Sequence, residues 1–311
     1  MTDALVSIFK PAPLVLASRK SALAMVQTRA VQSLLAPCNT EILGLSTKGD
    51  EVLDRPLVDV GGKGVFVKTL EAALLSGKAD AAVHSMKDME THIAEGTVIA
   101  AVLPREDRRD ALVGPFGSLD ALPQGAHIGT ASVRRSACLH HYRPDLRISL
   151  LRGNVNSRLA RLEAGEFDAI ILAAAGLRRL GINKGYSLLD EEVMPAAAAQ
   201  GALAVQVREG DARAATAASL IRQLNCAQTQ ICVRAERAML AELDGSCRTP
   251  ISAMADLEAD GNLRLRGAVL SLDGRECFRA EAHASKDEAA ALGQCLAKEL
   301  LSACGGRGFL A

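Results

Sequence analysis

Residues 14–46 read LVLASRKSALAMVQTRAVQSLLAPCNTEILGLS, and this stretch decides the fold class. It begins with a short aliphatic run at 14–18, continues with apolar residues at helical spacing over 21–36, and returns to an aliphatic run at 40–46. A strand, a helix and a second strand in this order are typical of a βαβ unit, whose two strands lie parallel in one sheet. The stretch therefore predicts an α/β fold.

The same alternation continues along the chain. A helix is predicted over 65–76 and an apolar strand over 79–84, which favours a parallel sheet covered by helices. The apolar periodicity stops at 105–110, REDRRD, where we place a domain boundary, and restarts over 127–173 as a second α/β unit. Beyond residue 225 a long helix, three alternating runs and a final helix predict a small α+β domain with an antiparallel sheet.

Composition excludes several classes of protein. Among 311 residues, 36 basic and 36 acidic side chains give no net charge, which argues against a chain that coats nucleic acid or anionic lipid. Aromatic residues are only 3%, too few for base-stacking platforms. No apolar run could span a bilayer and no signal peptide is evident, so we expect a cytoplasmic protein. Eight Cys without a C-x-x-C pair and six scattered His predict neither a disulfide framework nor a metal site.

Three predicted strand-to-helix junctions combine small residues with arginine: SRKS at 18–21, GTASVRR at 129–135 and RGNVNSR at 152–158. Helix N-termini at such junctions offer free N–H groups, and guanidinium groups bind carboxylates or phosphates through two hydrogen bonds. Residues 127–181 carry nine Arg, no Lys and four acids, a local charge of +5. The pattern predicts an anion-binding site. A solvated basic helix face is the alternative, above all for Arg143, Arg147 and Arg161.

Two further side chains are candidates for chemistry. Asp88 ends HSMKD after the apolar strand, where its carboxylate could hold a cationic or N–H-bearing centre and move a proton, or merely pair with Lys87. Cys247 lies in the turn DGSCRTP beside Arg248, which would favour its thiolate. It is a nucleophile, an attachment point or an ordinary loop cysteine. The run GGKG at 61–64 lacks P-loop spacing, so nucleotide binding is not predicted.

Together the motifs resemble the porphobilinogen deaminase family. In chain order they are LASRKSALA, TKGD, VGGKGVFVKTLE, DAAVHSMKD, REDRRDAL, GTASVRR, LRGNVNSRL, DAIILAAAGLRRLG, AQGALA, RAERAML and DGSCRTP. They cover nearly the whole chain, and their order and spacing carry the resemblance.

The resemblance implies an α/β fold of three domains. Two lobes would be like those of bilobal periplasmic binding proteins: a discontinuous domain 1 at 1–104 with 201–222, and an Arg-rich domain 2 at 105–200. A small α+β domain 3 at 223–311 would carry the cofactor cysteine.

The implied activity is that of a transferase, hydroxymethylbilane synthase, in tetrapyrrole biosynthesis of the haem or chlorophyll type. Porphobilinogen would be deaminated, and four units would be joined head-to-tail on a covalently bound dipyrromethane primer and released by hydrolysis as linear hydroxymethylbilane. The implied partners are porphobilinogen and the growing polypyrrole chain. We expect a monomer with no nucleic-acid or membrane partner.

The resemblance also implies roles for individual residues. Cys247 would hold the dipyrromethane cofactor through a thioether, and Asp88 would be catalytic, contacting pyrrole nitrogens and assisting loss of ammonia. The other implied cofactor-binding residues are Lys87, Ser132, Arg134, Arg135 and Gly153. The implied substrate-binding residues are Arg19, Ser21, Thr130, Arg152, Arg158, Arg179 and Gln200. Every pyrrole brings two carboxylates, which would account for an arginine-rich cleft in a neutral chain.

Four positions depart from the usual family pattern: Lys48, Glu90, Ala199 and Ser246. None removes a catalytic group. Ser246 stands where Gly commonly precedes the cofactor cysteine, and it would be strained if that position requires a positive φ. Glu90 adds a negative charge near Asp88, which would weaken binding of an anionic substrate.

Two other functions compete with this interpretation. A bilobal anion-binding module needs the same arginines but no chemistry, and Cys247 with the third domain argues against it. A phosphate-handling transferase would use 61–64, but it lacks the expected motif and a metal-binding constellation.

Overall fold

The computed structural model describes residues 12–47, 49, 64–243, 245 and 249–310. They fall into two compact units. The first unit holds the described residues up to Arg105 together with Ala202–Gln230, and the second holds Glu106–Gly201 and the described residues from Ile231 onward. The predicted division into three domains stays a prediction.

The helices and strands follow one another in an α/β order through most of the chain. The strands are β1 (Leu14–Arg19), β2 (Thr40–Leu45), β3 (Ala81–Ser85), β4 (Thr97–Val102), β5 (Asp110–Val113), β6 (His127–Thr130), β7 (Arg147–Leu150), β8 (Ala169–Ala173), β9 (Tyr186–Leu188), β10 (Leu203–Arg208), β11 (Ile251–Leu257), β12 (Asn262–Leu270) and β13 (Cys277–Ser285). The helices are α1 (Ala22–Leu34), α2 (Lys68–Leu75), α3 (Val133–Tyr142), α4 (Val155–Glu163), α5 (Ala174–Arg179), α6 (Ala212–Arg222), α7 (Ala227–Glu242) and α8 (Ala289–Ala303). Over the described ranges, no helix has the length and apolar character needed to cross a membrane.

The first unit is built on a five-stranded sheet in the order β2-β1-β3-β10-β4. Strands β2, β1 and β3 are parallel, as the opening stretch predicts, but β10 runs antiparallel to both β3 and β4. The predicted parallel arrangement therefore holds for these three strands of the five, and the pairings of β10 with β3 and β4 depart from it. Alternate residues of β1 enter opposite cores: Leu14 and Leu16 pack with Val31 of α1, whereas Ala17 packs with Leu70 of α2.

Helix α1 shows how the sequence sets this arrangement. Its N-cap is Ser21, whose hydroxyl accepts a hydrogen bond from the N–H of Ala24. Its buried residues are Ala24, Gln27, Thr28 and Val31, the i, i+3, i+4, i+7 spacing of one helix face. That face packs on the sheet, and the helix leaves Arg19 and Ser21 at the carboxyl end of β1.

The second unit contains a similar sheet in the order β7-β6-β8-β5-β9. Strands β7, β6 and β8 are parallel, and β5 is antiparallel to β8 and β9. Leu112 faces a core with Ile128 and Ala137 of α3, and its neighbour Val113 faces a second core with Leu177 of α5. Helices therefore cover both faces of the sheet, which brings the N-termini of α3 and α4 to the carboxyl ends of β6 and β7.

The second unit also contains the predicted antiparallel sheet, in the order β11-β12-β13. Helices α7 and α8 cover one face, where Met239 and Leu296 pack against Leu263 and Leu265. The prediction of an α+β arrangement after residue 225 is confirmed.

Candidate functional site

Asp88 follows β3 directly. It closes a single 3-10 turn, Met86–Asp88, which also holds Lys87, and the N–H of Met86 donates to the carbonyl of Ala202 on the approach to β10. The Asp88 side chain is 34% exposed. The fold thus presents this carboxylate at the carboxyl end of β3, as predicted.

Arg19 lies close to Asp88 without a hydrogen bond to it. Its Nη1 is 3.9 Å from the Asp88 Oδ2, longer than a charge-assisted hydrogen bond. Its guanidinium carbon lies 4.1 Å from the centre of the Phe66 ring, within the range of a cation–π contact. The Phe66 ring thus packs against the Arg19 guanidinium group. Sequence reasoning did not select Phe66, because stacking partners distant in sequence leave no local pattern.

The junction after β6 holds Thr130 and Ser132. The Ser132 hydroxyl caps α3 by accepting the N–H of Arg135 at 3.4 Å, and the Thr130 hydroxyl accepts the N–H of Ser132 at 3.2 Å. Both hydroxyls order the helix N-terminus. They are therefore in place to orient its free N–H groups toward an anion.

Arg134 and Arg135 are buried, and each has an anionic partner inside the protein. Arg134 Nη2 is 2.6 Å from Asp110 Oδ2, and Arg135 Nη2 is 2.7 Å from Asp110 Oδ1. Burial opposes ionisation of Asp110, but the charges and hydrogen bonds of Arg135 and Arg134 outweigh it and hold the pKa of that carboxyl well below its usual range. Two cations share one carboxylate, so the cluster keeps one positive charge in excess.

Asp110 is the main residue that sequence reasoning missed. It ends REDRRD, a stretch interpreted as a hydrophilic break. Asp110 is nevertheless the first residue of β5, and its side chain is wholly buried. Arg108 from the same stretch is also mostly buried, between Glu191 and Asp256. A run of charges can therefore belong to the interior when each charge has a partner. Those partners lie 24 or more residues away in sequence.

Gln200 is buried beside this cluster. Its amide nitrogen donates to the carbonyl of Arg108 at 2.6 Å and to Asp110 Oδ1 at 2.9 Å. Gln200 was predicted to bind substrate. These contacts give it a supporting function for Asp110.

The junction after β7 contains Arg152, Gly153 and Arg158. Arg152 is buried, and the Arg158 Nε donates to the carbonyl of Gly153 at 2.8 Å. Gly153 has φ +111°, and a Cβ there would collide with the Ser157 hydroxyl. Only glycine fits this position well. The Asn154 side chain caps α4 through the N–H of Ser157 at 2.9 Å.

Arg179 ends α5, where its Nη2 donates to the carbonyl of Gly201 at 2.6 Å. Burial lowers the pKa of its guanidinium, which nevertheless stays charged at neutral pH. Arg161, the residue interpreted from the sequence as a candidate for the solvated face, pairs with Glu166 at 2.7 Å and is 40% exposed.

Of the four departures from the family pattern, two lie among the described residues. Glu90 accepts the N–H of Gly64 at 2.7 Å, so its carboxylate supports the start of the α2 region. Ala199 has φ 58°. Lys48, Ser246 and the predicted attachment residue Cys247 lie outside the described residues, as does 61–63 of the glycine run.

The second-unit junctions fit a group that carries several carboxylates. They offer two capped helix N-termini, a glycine that leaves room for close approach, and an arginine cluster with excess positive charge. Arg135 Nε is buried and finds no hydrogen-bond acceptor among the described residues. The free N–H groups of the helix N-termini and the arginine side chains are matched by the propionate and acetate groups expected of a dipyrromethane.

Comparisons with known proteins find similar structures and similar chains. Among solved structures, the VFT2 domain of Bordetella pertussis BvgS is 15% identical with a TM-score of 0.42, covering 71% of this chain and 90% of its own. Relatives named porphobilinogen deaminase come from Chromobacterium violaceum, 47% identical over 93% of this chain and 94% of theirs, and Burkholderia orbicola, 46% identical over 93% and 88%.

Family models match most of the chain. Residues 14–216 match "Porphobilinogen deaminase, dipyromethane cofactor binding domain", and residues 230–302 match "Porphobilinogen deaminase, C-terminal domain". The dipyrromethane expected from the sequence is the cofactor for which the first of these domains is named. The chain therefore belongs to the porphobilinogen deaminase family.

Proposed function

We propose that this chain carries out the reaction of its family with Asp88 as the catalytic group. Porphobilinogen is deaminated, four units are joined head-to-tail on a dipyrromethane primer, and linear hydroxymethylbilane is released by hydrolysis. The observation that carries the proposal is the position of Asp88. Its partly exposed carboxylate stands at the carboxyl end of β3, with Arg19 at 3.9 Å.

Asp88 supplies a negative charge, which the arginines cannot provide. Loss of ammonia from porphobilinogen leaves positive charge on the pyrrole, and arginine side chains bind carboxylates but stabilise no cation. A carboxylate that accepts the pyrrole N–H stabilises this developing charge. Because Arg19 is too distant for a direct hydrogen bond, the Asp88 oxygen that faces it remains able to accept one from the pyrrole.

The remaining predicted residues bind carboxylates. The substrate would be held by Arg19, Ser21, Thr130, Arg152, Arg158, Arg179 and Gln200. The dipyrromethane would be held by Lys87, Ser132, Arg134, Arg135 and Gly153, with Cys247 as its thioether attachment. When bound, that group supplies the pyrrole carbon to which the first unit is added. For Gln200, Arg134 and Arg135 the support is indirect, through Asp110.

Intact-protein mass spectrometry after mild denaturation tests the attachment. Active wild-type protein should be heavier than its polypeptide by two linked pyrrole units, whereas Cys247→Ser should show the polypeptide mass alone and form no bilane. Cys295→Ser is the matched control, because Cys295 is an exposed cysteine on α8 and should keep both adduct and activity. An active wild-type protein without an adduct contradicts the proposal.

We propose a cytoplasmic monomer that retains the growing polypyrrole chain as its partner between additions, without a nucleic-acid or membrane partner. The seven described cysteines are all free thiols, which supports a reducing compartment. Light scattering during turnover should show one copy of the chain, and a stable dimer would contradict the expected monomer.

A further inference from the structure

The turn that precedes β10 holds an unusual backbone conformation. Ala199 is the one non-glycine residue with positive φ among the residues that the structure describes. A left-handed conformation is unfavourable for alanine because its Cβ crowds the following carbonyl. The turn therefore needs support from its surroundings, and Gly is the residue that would hold the same conformation at least cost.

That support comes from Glu236 on α7. Its side chain is wholly buried, and its Oε2 accepts the N–H of Ala199 at 2.7 Å. Its Oε1 accepts the N–H of Ala255 on β11 at 2.8 Å. Each of the two carboxylate oxygens thus accepts one backbone N–H, so Glu236 fixes the amide of the strained residue against the antiparallel sheet.

Gln200, the residue after Ala199, connects the turn to the arginine cluster. Gln200 donates to Asp110, and Asp110 in turn holds Arg134 and Arg135. A change in the backbone at Ala199 must move the Gln200 side chain, because both belong to one tight turn closed by the Gln200 N–H to the Ala197 carbonyl at 3.1 Å. Every link in this series is a direct contact within the second unit.

We infer that Glu236 is a positioning residue, which sets the Arg134–Arg135 cluster for binding of substrate or cofactor carboxylates through Ala199, Gln200 and Asp110. The inference rests on the proposed function of that cluster. Glu236 itself touches no reacting atom. Its removal should therefore affect binding of the carboxylates of porphobilinogen or the dipyrromethane more than the chemical step at Asp88.

The test compares Glu236→Gln with the double variant Glu236→Gln, Ala199→Gly. The amide oxygen of Gln can accept only one of the two backbone N–H groups, so the link that holds the turn against β11 is broken whichever group it accepts. We expect the KM for porphobilinogen to rise about tenfold with kcat within about threefold of wild type. Gly at 199 adopts the positive φ without support. The double variant should therefore return KM to within about threefold of Ala199→Gly alone.

Asp80→Asn is the matched control. Asp80 is a buried acid of the first unit that also accepts a backbone N–H, from Val15, and pairs with arginine, so its loss should lower thermal stability and leave KM unchanged. If Glu236→Gln does not fold, Glu236→Asp, which keeps the charge and shortens its reach, should give a smaller rise in KM that Ala199→Gly also reverses.

The outcomes separate the two proposals. Wild-type protein that forms no bilane contradicts the proposed function. Active wild type with an unchanged KM in the Glu236 variant, or a raised KM that Ala199→Gly does not restore, overturns the positioning role alone. Intact mass measured on each variant gives a readout independent of turnover, since a normal adduct with a raised KM assigns the effect to substrate carboxylates.

Discussion

Two carboxylates, Asp88 and Asp110, differ in their surroundings in a way that separates their roles. Asp88 is 34% exposed and lies 3.9 Å from one guanidinium group, whereas Asp110 is wholly buried between two. A partly exposed carboxylate can exchange partners during a reaction, and a buried one that is fully paired cannot do so without large loss of stability. The first is suited to chemistry and the second to support.

Replacing Asp88 by Asn should therefore affect turnover and not folding. Asn keeps the shape and removes the charge, so we expect at least about a 100-fold fall in kcat with near-normal thermal stability. The measurement is bilane formation at saturating porphobilinogen on holo-protein verified by mass, with Asp88→Glu as the control that keeps the charge. Turnover of Asp88→Asn within a few-fold of wild type would make Asp88 a turn residue only.

Replacing Asp110 by Asn should have the opposite effect, a loss of stability of about 3–5 kcal/mol, because two arginines lose their buried partner. The folded-state pKa of Asp110 is lowered, so its ionised form stabilises the fold fully above the unfolded value near 3.9. That contribution is lost as the pH falls further, toward the folded-state pKa. Urea unfolding should show a constant difference from wild type above about pH 5 that shrinks below pH 4. A pH-independent difference would contradict the ion-pair assignment.

The sequence could place Asp88 at the carboxyl end of a strand, where open α/β sheets bind ligands. It could not identify Asp110 or Glu236 as supports. Their partners lie far away in the chain, at Arg134, Ala199 and Ala255. Composition makes each of them look like an ordinary solvated acid, and only tertiary structure shows that they are buried and paired.

At the scale of elements, the proposed anion site depends on helix N-termini, and the N-cap of α4 can be tested directly. Asn154→Ala removes the side chain that caps the N–H of Ser157 and should cost about 1 kcal/mol in the free energy of unfolding. Asn156→Ala is the control, because Asn156 is exposed inside the same helix and Ala has the higher helix propensity. Thermal unfolding of both variants gives the comparison, and equal stability would show that the cap contributes nothing.

The prediction of helices and strands succeeded where apolar and polar residues alternate within a short stretch. It failed where a strand joins a sheet whose other strands lie far away in the chain. The helix-and-strand order from β1 to β2 follows from periodicity alone. Strand β10 does not. Its residues read LAVQVR, all buried, and nothing in that run shows that it enters the first sheet antiparallel between β3 and β4. Direction and neighbours are set by contacts that lie more than 100 residues apart in sequence.

At the scale of the whole molecule, His84 should make stability depend on acid. It lies on β3, where burial and the charge of Arg19 lower its pKa to about 4, against the opposing effect of the Gln206 side chain. An unfolded His takes up a proton below about pH 6.5, whereas the folded one stays neutral until about pH 4, so stability falls as the pH drops through this window.

The loss should approach about 3 kcal/mol by pH 4, and His84→Gln should remove most of this dependence. Denaturant unfolding at pH 7, 5.5 and 4.5 checks it. His140→Gln on α3 is the control, since His140 is only partly buried. A wild-type stability that does not change between pH 7 and pH 4.5 would contradict the assignment.

The entry of β10 between β3 and β4 also has a consequence for the order of events on the ribosome. The strands of the second sheet come from one continuous stretch, Asp110 to Leu188, whereas the first sheet waits for residues 203–208. Among the described strands β4 pairs with β10 alone, so it cannot join its sheet through them until those residues emerge from the exit tunnel. The unit whose synthesis begins first is therefore completed second. The nascent chain must carry an open sheet edge while the residues between β4 and β10 are synthesised.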